Sequence, residues 1–195
     1  MIRPALVYLV VAAAMLAGCD SPRARFYRLS PDSSLSAATA RSPARPVIVG
    51  PVTVPDLVDR PQIVTRNSNN EVALNEYARW GEPLRSSVAD AIAADLALLL
   101  GSDRVSVASR AVADPHAWRV RVDIQQFESI PGDAVTMDAQ WSVRSFGDET
   151  GLSGRSRVRE PVAGQDFDAL VAAHSRALAS VSRDIAAAIE RNALP

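Results

Sequence analysis

Few side chains in this sequence can do covalent or metal chemistry. Its 195 residues include one cysteine, Cys19, and two histidines, His116 and His174. A zinc site of the usual Cys/His kinds cannot be assembled from that supply. Every one of the 21 basic residues is arginine, which removes Schiff-base lysines and the P-loop lysine together. His174 falls on the apolar side of a helical pattern, the place of a core histidine with one ring nitrogen satisfied. His116 follows Asp114-Pro115 and reads as a loop residue. A serine triad is recognised by geometry and not by chain order, but the sequence has no Gly-x-Ser-x-Gly nucleophile elbow. Asp56 with Asp59, or Asp166 with Asp168, has the spacing of paired carboxylates. The second pair opens a helix, where acidic side chains favour the macrodipole. Gly132, Gly147, Gly151 and Gly154 are turn and strand glycines, not a phosphate loop. Arg155, Arg157 and Arg159 alternate along one strand face, which fits either anionic headgroups or a solvated surface. None of these groups makes a catalytic site by spacing, and no cofactor is implied.

Cys19 has a more specific use. Residues 1–18 carry Arg3, an apolar run from Ala5 to Leu16 and then two small residues, the parts of a secretory signal. The run is shorter than the ~20 apolar residues of a membrane span. Leu16-Ala17-Gly18-Cys19 resembles the lipobox of bacterial lipoproteins, in which the cysteine is diacylated on sulfur and becomes the new N-terminus. More than one acyl chain is needed for stable anchoring, and the modified cysteine would carry two or three. The formal charge is −1, so there is neither a polybasic membrane patch nor the basic stripe that nucleic acid requires. Asp20 follows the cysteine and resembles the inner-membrane retention signal of enteric lipoproteins.

The elements that would position any site follow from patterning. Ser21 to Arg45 is rich in Ser, Ala and Pro and reads as a tether, interrupted by a short strand at Arg25–Leu29. Pro46–Val54 is a β-branched strand in which Pro51 marks an edge or a bulge at Gly50. Gln62–Arg66 and Glu71–Asn75 flank Asn67-Ser68-Asn69-Asn70, a hairpin signal. A helix starts near Glu82-Pro83 and stops at Leu100-Gly101, with Leu84, Val88, Ala91, Ile92, Leu96 and Leu99 on one face. Arg104–Ala108 is a strand. From Trp118 to Arg159 the chain alternates apolar and polar residues, with turns at Gly132-Asp133 and Gly147-Asp148, as an antiparallel meander does. Gln165–Asn192 is a long helix whose stripe runs through Phe167, Leu170, Val171, His174, Leu178, Val181, Ile185 and Ile189. The expected architecture is a single α+β domain: a mostly antiparallel sheet with two amphipathic helices on one face. Residues 1–18 form the lipoprotein signal, 19–45 the lipidated N-terminus and tether, and 46–195 the folded domain.

Two strings, Asp59-Arg60-Pro61-Gln62-Ile63-Val64 and Arg79-Trp80-Gly81-Glu82-Pro83-Leu84, with Gly50-Pro51-Val52 upstream, resemble the PqiC-like family of ABC-type transport auxiliary lipoproteins. The lipobox, the Phe26-Tyr27-Arg28-Leu29 strand and the last helix match that family's layout. The resemblance implies a non-enzymatic envelope lipoprotein of a Gram-negative bacterium that works by protein contact. Its implied partners are an MCE-domain protein and the associated transporter membrane subunits, in a system that moves lipid between membranes and maintains the outer-membrane barrier. A homo-oligomer is compatible with this, and no nucleic acid is involved. The family favours the outer membrane, whereas Asp20 points to the inner one. Within the two strings, Asp59, Arg60, Pro61, Gln62, Arg79, Trp80, Glu82 and Pro83 are the candidate partner-contact residues. A structural role competes with this: prolines fix turns, acids pair with arginines, and Trp80 closes the core beneath the helix start. A stand-alone lipid-binding lipoprotein would need an apolar pocket, and an envelope hydrolase would need a Ser–His pair within hydrogen-bond reach.

Overall fold

The computed structural model describes residues 22–35, 45–112, 114–145 and 151–193. The signal, Cys19, Asp20 and the Gly147-Asp148 turn lie outside them.

Among the described residues the β-branched and alternating runs form eight strands in two sheets. Strands β1 (Arg25–Tyr27), β3 (Gln62–Arg66) and β4 (Val72–Trp80) make a small sheet in the order β1-β4-β3. Strands β2 (Val47–Thr53), β5 (Val105–Val107), β6 (Trp118–Ile130), β7 (Ala134–Arg144) and β8 (Leu152–Pro161) make a larger one in the order β5-β2-β6-β7-β8. The β3–β4 hairpin and the β6–β7–β8 meander are antiparallel as their patterns require. β2 pairs in parallel with both β5 and β6, and β1 in parallel with β4. Of the two readings of Pro51, the bulge holds and the edge does not. β2 is interior, and its register with β6 shifts between Val49 and Val52. Proline cannot donate to a ladder, so an interior strand accommodates it only where the pairing is interrupted. Gly50 adopts φ +125°, and a Cβ there would press on Ala108, so the bulge needs glycine.

Helix α1 (Leu84–Leu99) packs on β2 and β5, and α2 (Phe167–Ala193) on β7 and β8. The two helices also touch one another, so they lie side by side on one face of the large sheet. Proline at residue 83 precedes α1, and Asp166 accepts a hydrogen bond from the Ala169 N–H (2.7 Å) to cap α2. Both stripes face inward: Leu84, Val88, Ile92 and Leu96 from α1 meet Leu170, Leu178, Ile185 and Ile189 from α2. Each such side chain contributes about 1.5–3 kcal/mol when fully buried.

The stretch between Cys19 and the first long strand is built onto this body. β1 extends the small sheet, Leu29 is buried, and the Ser30 N–H donates to Ser175 Oγ of α2 (3.3 Å).

Candidate functional site

The motif residues separate into buried and surface sets. Trp80 is in the core, edge-on to Phe127 and to His174 at centroid distances of 6.4 and 6.3 Å. The Pro61 carbonyl accepts from the Trp80 N–H (2.7 Å), tying the first string to the second through the backbone. Strand alternation turns Arg79 to the opposite, outer face, where Glu76 takes an ion pair from it (3.5 Å) and weak hydrogen bonds from Gln62. Asp59 pairs with Arg85 of α1 (2.6 Å), and Glu82 lies 3.2 Å from Arg28.

These strings converge. Gly50, Pro51, Glu82, Pro83, Arg85 and Arg110 are among the residues lining one open depression of about 480 Å³. Arg85 also carries the ion pair to Asp59, so all three family strings reach this place. The β2 bulge forms one wall and the start of α1 the other. Arg110 pairs with Asp90 across it. The rim is charged, half-exposed and open to solvent, an arrangement suited to gripping a protein surface with arginine and backbone groups.

A second cluster is chemical in appearance. Ser129 Oγ and His174 Nε2 are 2.7 Å apart, a serine–histidine hydrogen bond. Both residues are buried, at 2% and 0% exposure. Phe127 stacks on the imidazole (4.0 Å between centroids, 6° between planes), and Nδ1 has no hydrogen-bond partner. A catalytic histidine needs an orienting group on that nitrogen and a substrate path to the serine; here one is missing and aromatic rings seal the other. Burial also holds the imidazole pKa down to about 3, so it stays neutral, as the core position of its stripe suggests.

Sequence reasoning did not find a third cluster. Asp95 of α1 is completely buried. The Asp32 N–H donates to its Oδ1 (3.3 Å) and Ser182 Oγ of α2 to its Oδ2 (3.2 Å). Burial is the main cause that pushes the Asp95 carboxyl up to about 7. At Asp32, burial opposes ionisation, but hydrogen bonds from Ser34 and the charge of Arg183 prevail and lower its pKa. The signal was present: Asp95 sits four residues from Ala91 and four from Leu99, inside the apolar stripe.

The remaining candidates occupy ordinary surface. Arg155 and Arg157 both pair with Asp138, and Arg159 with Asp133 (2.7 Å). The Arg155 hydrogen bond is the first cause that holds the Asp138 carboxyl below its usual range. Each of these arginines is thus ion-paired across the sheet face, with Asp138 shared between two of them. Asp114 accepts from the His116 N–H in an exposed turn. Among the described residues there is no group of three metal-ligating side chains, and no helix is long and apolar enough to cross a membrane.

Comparison with known proteins adds to this geometry. Residues 27–186 match the family model described as the ABC-type transport auxiliary lipoprotein component. No curated protein matches the sequence. Among solved structures, protein XCC0632 from Xanthomonas campestris, assigned to DUF330, is 20% identical, with TM-score 0.65 over 87% of this chain and 97% of that one. An uncharacterized protein of 18% identity aligns with TM-score 0.62 over 78% of this chain and 97% of its own. At such identities the likeness is one of fold.

Proposed function

This chain belongs to the family of ABC-type transport auxiliary lipoproteins, and from that premise we propose that it is the lipid-anchored periplasmic accessory subunit of an MCE-type lipid transport system. It supports lipid movement between membranes and outer-membrane integrity by protein contact, not by catalysis. The observation that carries this reading is the family match over residues 27–186, with Leu16-Ala17-Gly18-Cys19 directly upstream. Acylation of Cys19 holds the protein on its membrane, and the family layout favours the outer one.

The contact surface is the depression where the motif strings meet. Arg85 and Arg110 supply planar cationic donors, Glu82 supplies an acceptor, and Gly50-Pro51 leaves the strand ladder interrupted at the surface. A transporter subunit seated there would read charge and backbone together. The sealed Ser129–His174 pair supports a non-enzymatic role, because no substrate can reach its hydroxyl in this arrangement.

Affinity purification of the intact lipoprotein from membranes tests the reading. An MCE-domain protein or ABC transporter subunit should co-purify, and Arg85→Glu should abolish that association while leaving the fold intact. Recovery of the lipoprotein alone under gentle solubilisation refutes it. Cys19→Ser should move the protein out of the membrane fraction; unchanged association sinks the anchor.

A further inference from the structure

The outer face of the small sheet carries apolar surface that the proposed partner site does not use. Phe26 is 67% exposed and Tyr77 51%. Phe26 is in register with Arg79, and Tyr77 lies two residues before Arg79 on β4. All three therefore share one face, because Ala78 and Trp80 between and beyond them turn inward. Arg25 is in register with Ala78 and so alternates to the other face, but β1 is the edge strand, and Arg23 and Arg25 are exposed along that edge at the start of the described chain. Two bare aromatic rings flanking Arg79, with Arg23 and Arg25 along the adjoining edge, are not an ordinary solvated strand face.

The covalent chain limits what can cover them. Cys19 and Arg25 are six residues apart, and a fully extended chain spans at most about 3.3–3.6 Å per residue, or about 20 Å. The headgroup layer takes up about 5–8 Å of that reach, being half the difference between total and hydrocarbon bilayer thickness. If the acyl chains on Cys19 lie in hydrocarbon, β1 is held within about 15 Å of the headgroup surface, little more than the thickness of one sheet layer. β1 cannot swing away from the body to relieve this. It is hydrogen-bonded into β4, the Gly81 N–H donates to the Tyr27 carbonyl (2.8 Å), and the Tyr27 ring packs on Phe167 at 6.0 Å. The body must follow its first strand to the membrane.

We propose that the outer face of the small sheet rests on the headgroup surface of the bilayer that holds the Cys19 acyl chains, with Phe26 and Tyr77 in the interface and Arg23 and Arg25 on anionic phosphates. Aromatic rings and arginines are the side chains that such an interface accepts, the rings through their amphipathic edges and the arginines by snorkelling. Glu76 lies near this face, where Arg79 compensates its charge. The inference rests on the lipid-anchor reading and adds an orientation to it: the small sheet is membrane-proximal.

The test uses the full lipoprotein, purified from membranes and reconstituted into phosphatidylethanolamine/phosphatidylglycerol vesicles that carry a spin-labelled, fluorescence-quenching lipid. The acylated Cys19 has no free thiol, so Phe26→Cys, Tyr77→Cys and Ser153→Cys can each be labelled alone with an environment-sensitive dye. Phe26, Tyr77 and Ser153 are exposed, so the replacements leave the core untouched. Ser153 lies at the far end of β8 from the segment leading to α2. Labels at positions 26 and 77 should be quenched by lipid at least twofold more than the label at 153, and Arg23→Glu with Arg25→Glu should reduce the difference. Equal quenching at the three sites overturns the proposal. So does a label at 26 or 77 that is shielded from aqueous iodide but untouched by the lipid quencher, since a protein then covers the face. Labelled protein left in solution after vesicles are pelleted instead overturns the anchor itself, and the orientation with it.

Discussion

Asp95 gives the most quantitative handle on this fold. Its carboxyl is fully buried between α1, α2 and the segment after β1, and burial favours protonation up to about pH 7, against the ordinary aspartate pKa of 3.8. Because the folded state holds this proton more tightly than the unfolded chain, the Asp95 contribution is fully present below pH 3.8 and is lost as pH rises through about 7. The difference of about three units corresponds to about 4 kcal/mol at 1.36 kcal/mol per unit. Asp32 shifts in the opposite direction and loses its contribution as pH falls below the ordinary carboxylate range, so the two windows do not overlap. Asp95→Asn should remove the upper window. The amide oxygen can accept from the Asp32 N–H and the amide nitrogen can donate to Ser182 Oγ, the same pattern as a protonated carboxyl. Urea unfolding at pH 4, 6 and 8, on the chain carrying Cys19→Ser, measures the effect. The variant should match the parent at pH 4 and exceed it by up to about 4 kcal/mol at pH 8. A parent stability that is flat or rising between pH 4 and 7, or a variant weaker at pH 8, refutes the reasoning.

Trp80→Ala removes a buried indole that packs edge-on against the stacked Phe127 and His174 rings and should cost about 3–5 kcal/mol, read as a lower urea midpoint with an unchanged slope. Normal stability with lost partner binding would move Trp80 from the core to the contact surface. Gly154→Ala places a Cβ hard against Cζ2 of the Trp141 ring and should cost about 1–3 kcal/mol through overpacking. Near-UV circular dichroism should report the displaced indole, whose N–H donates to Ser156 Oγ (3.1 Å).

Local periodicity carried most of the fold. Val120, Val122 and Ile124 alternate with Arg119, Arg121 and Asp123, and the structure buries the first set and exposes most of the second. Both helical stripes were legible for the same reason. Parallel pairing of β2 with β5 and β6 was not legible, because partners more than fifty residues apart leave no mark on local pattern. The Ser129–His174 pair was hidden by a bulge. Strict alternation from Trp118 would turn Gln126 and Glu128 inward, but the β6 register slips between Ile124 and Gln126 and brings Phe127 and Ser129 to the core. The motif strings were visible as strings, whereas their convergence on the Arg85 depression depends on the β2 bulge meeting the start of α1.

The position of α2 has a consequence during synthesis. This helix follows every described strand, yet it supplies Leu170, Leu178, Ile185 and Ile189 to the shared core. Until it arrives, the inner face of the meander, with Val135, Met137, Ala139 and Val143, has no cover on the β7–β8 side. At about 5–20 residues per second, the chain from Pro161 to Ile189 takes roughly 1.5–6 s to appear. For that interval a β-rich intermediate displays its apolar face. A nascent chain of this kind depends on a holding chaperone or on delayed folding, and any truncation before Leu170 would make the exposure permanent.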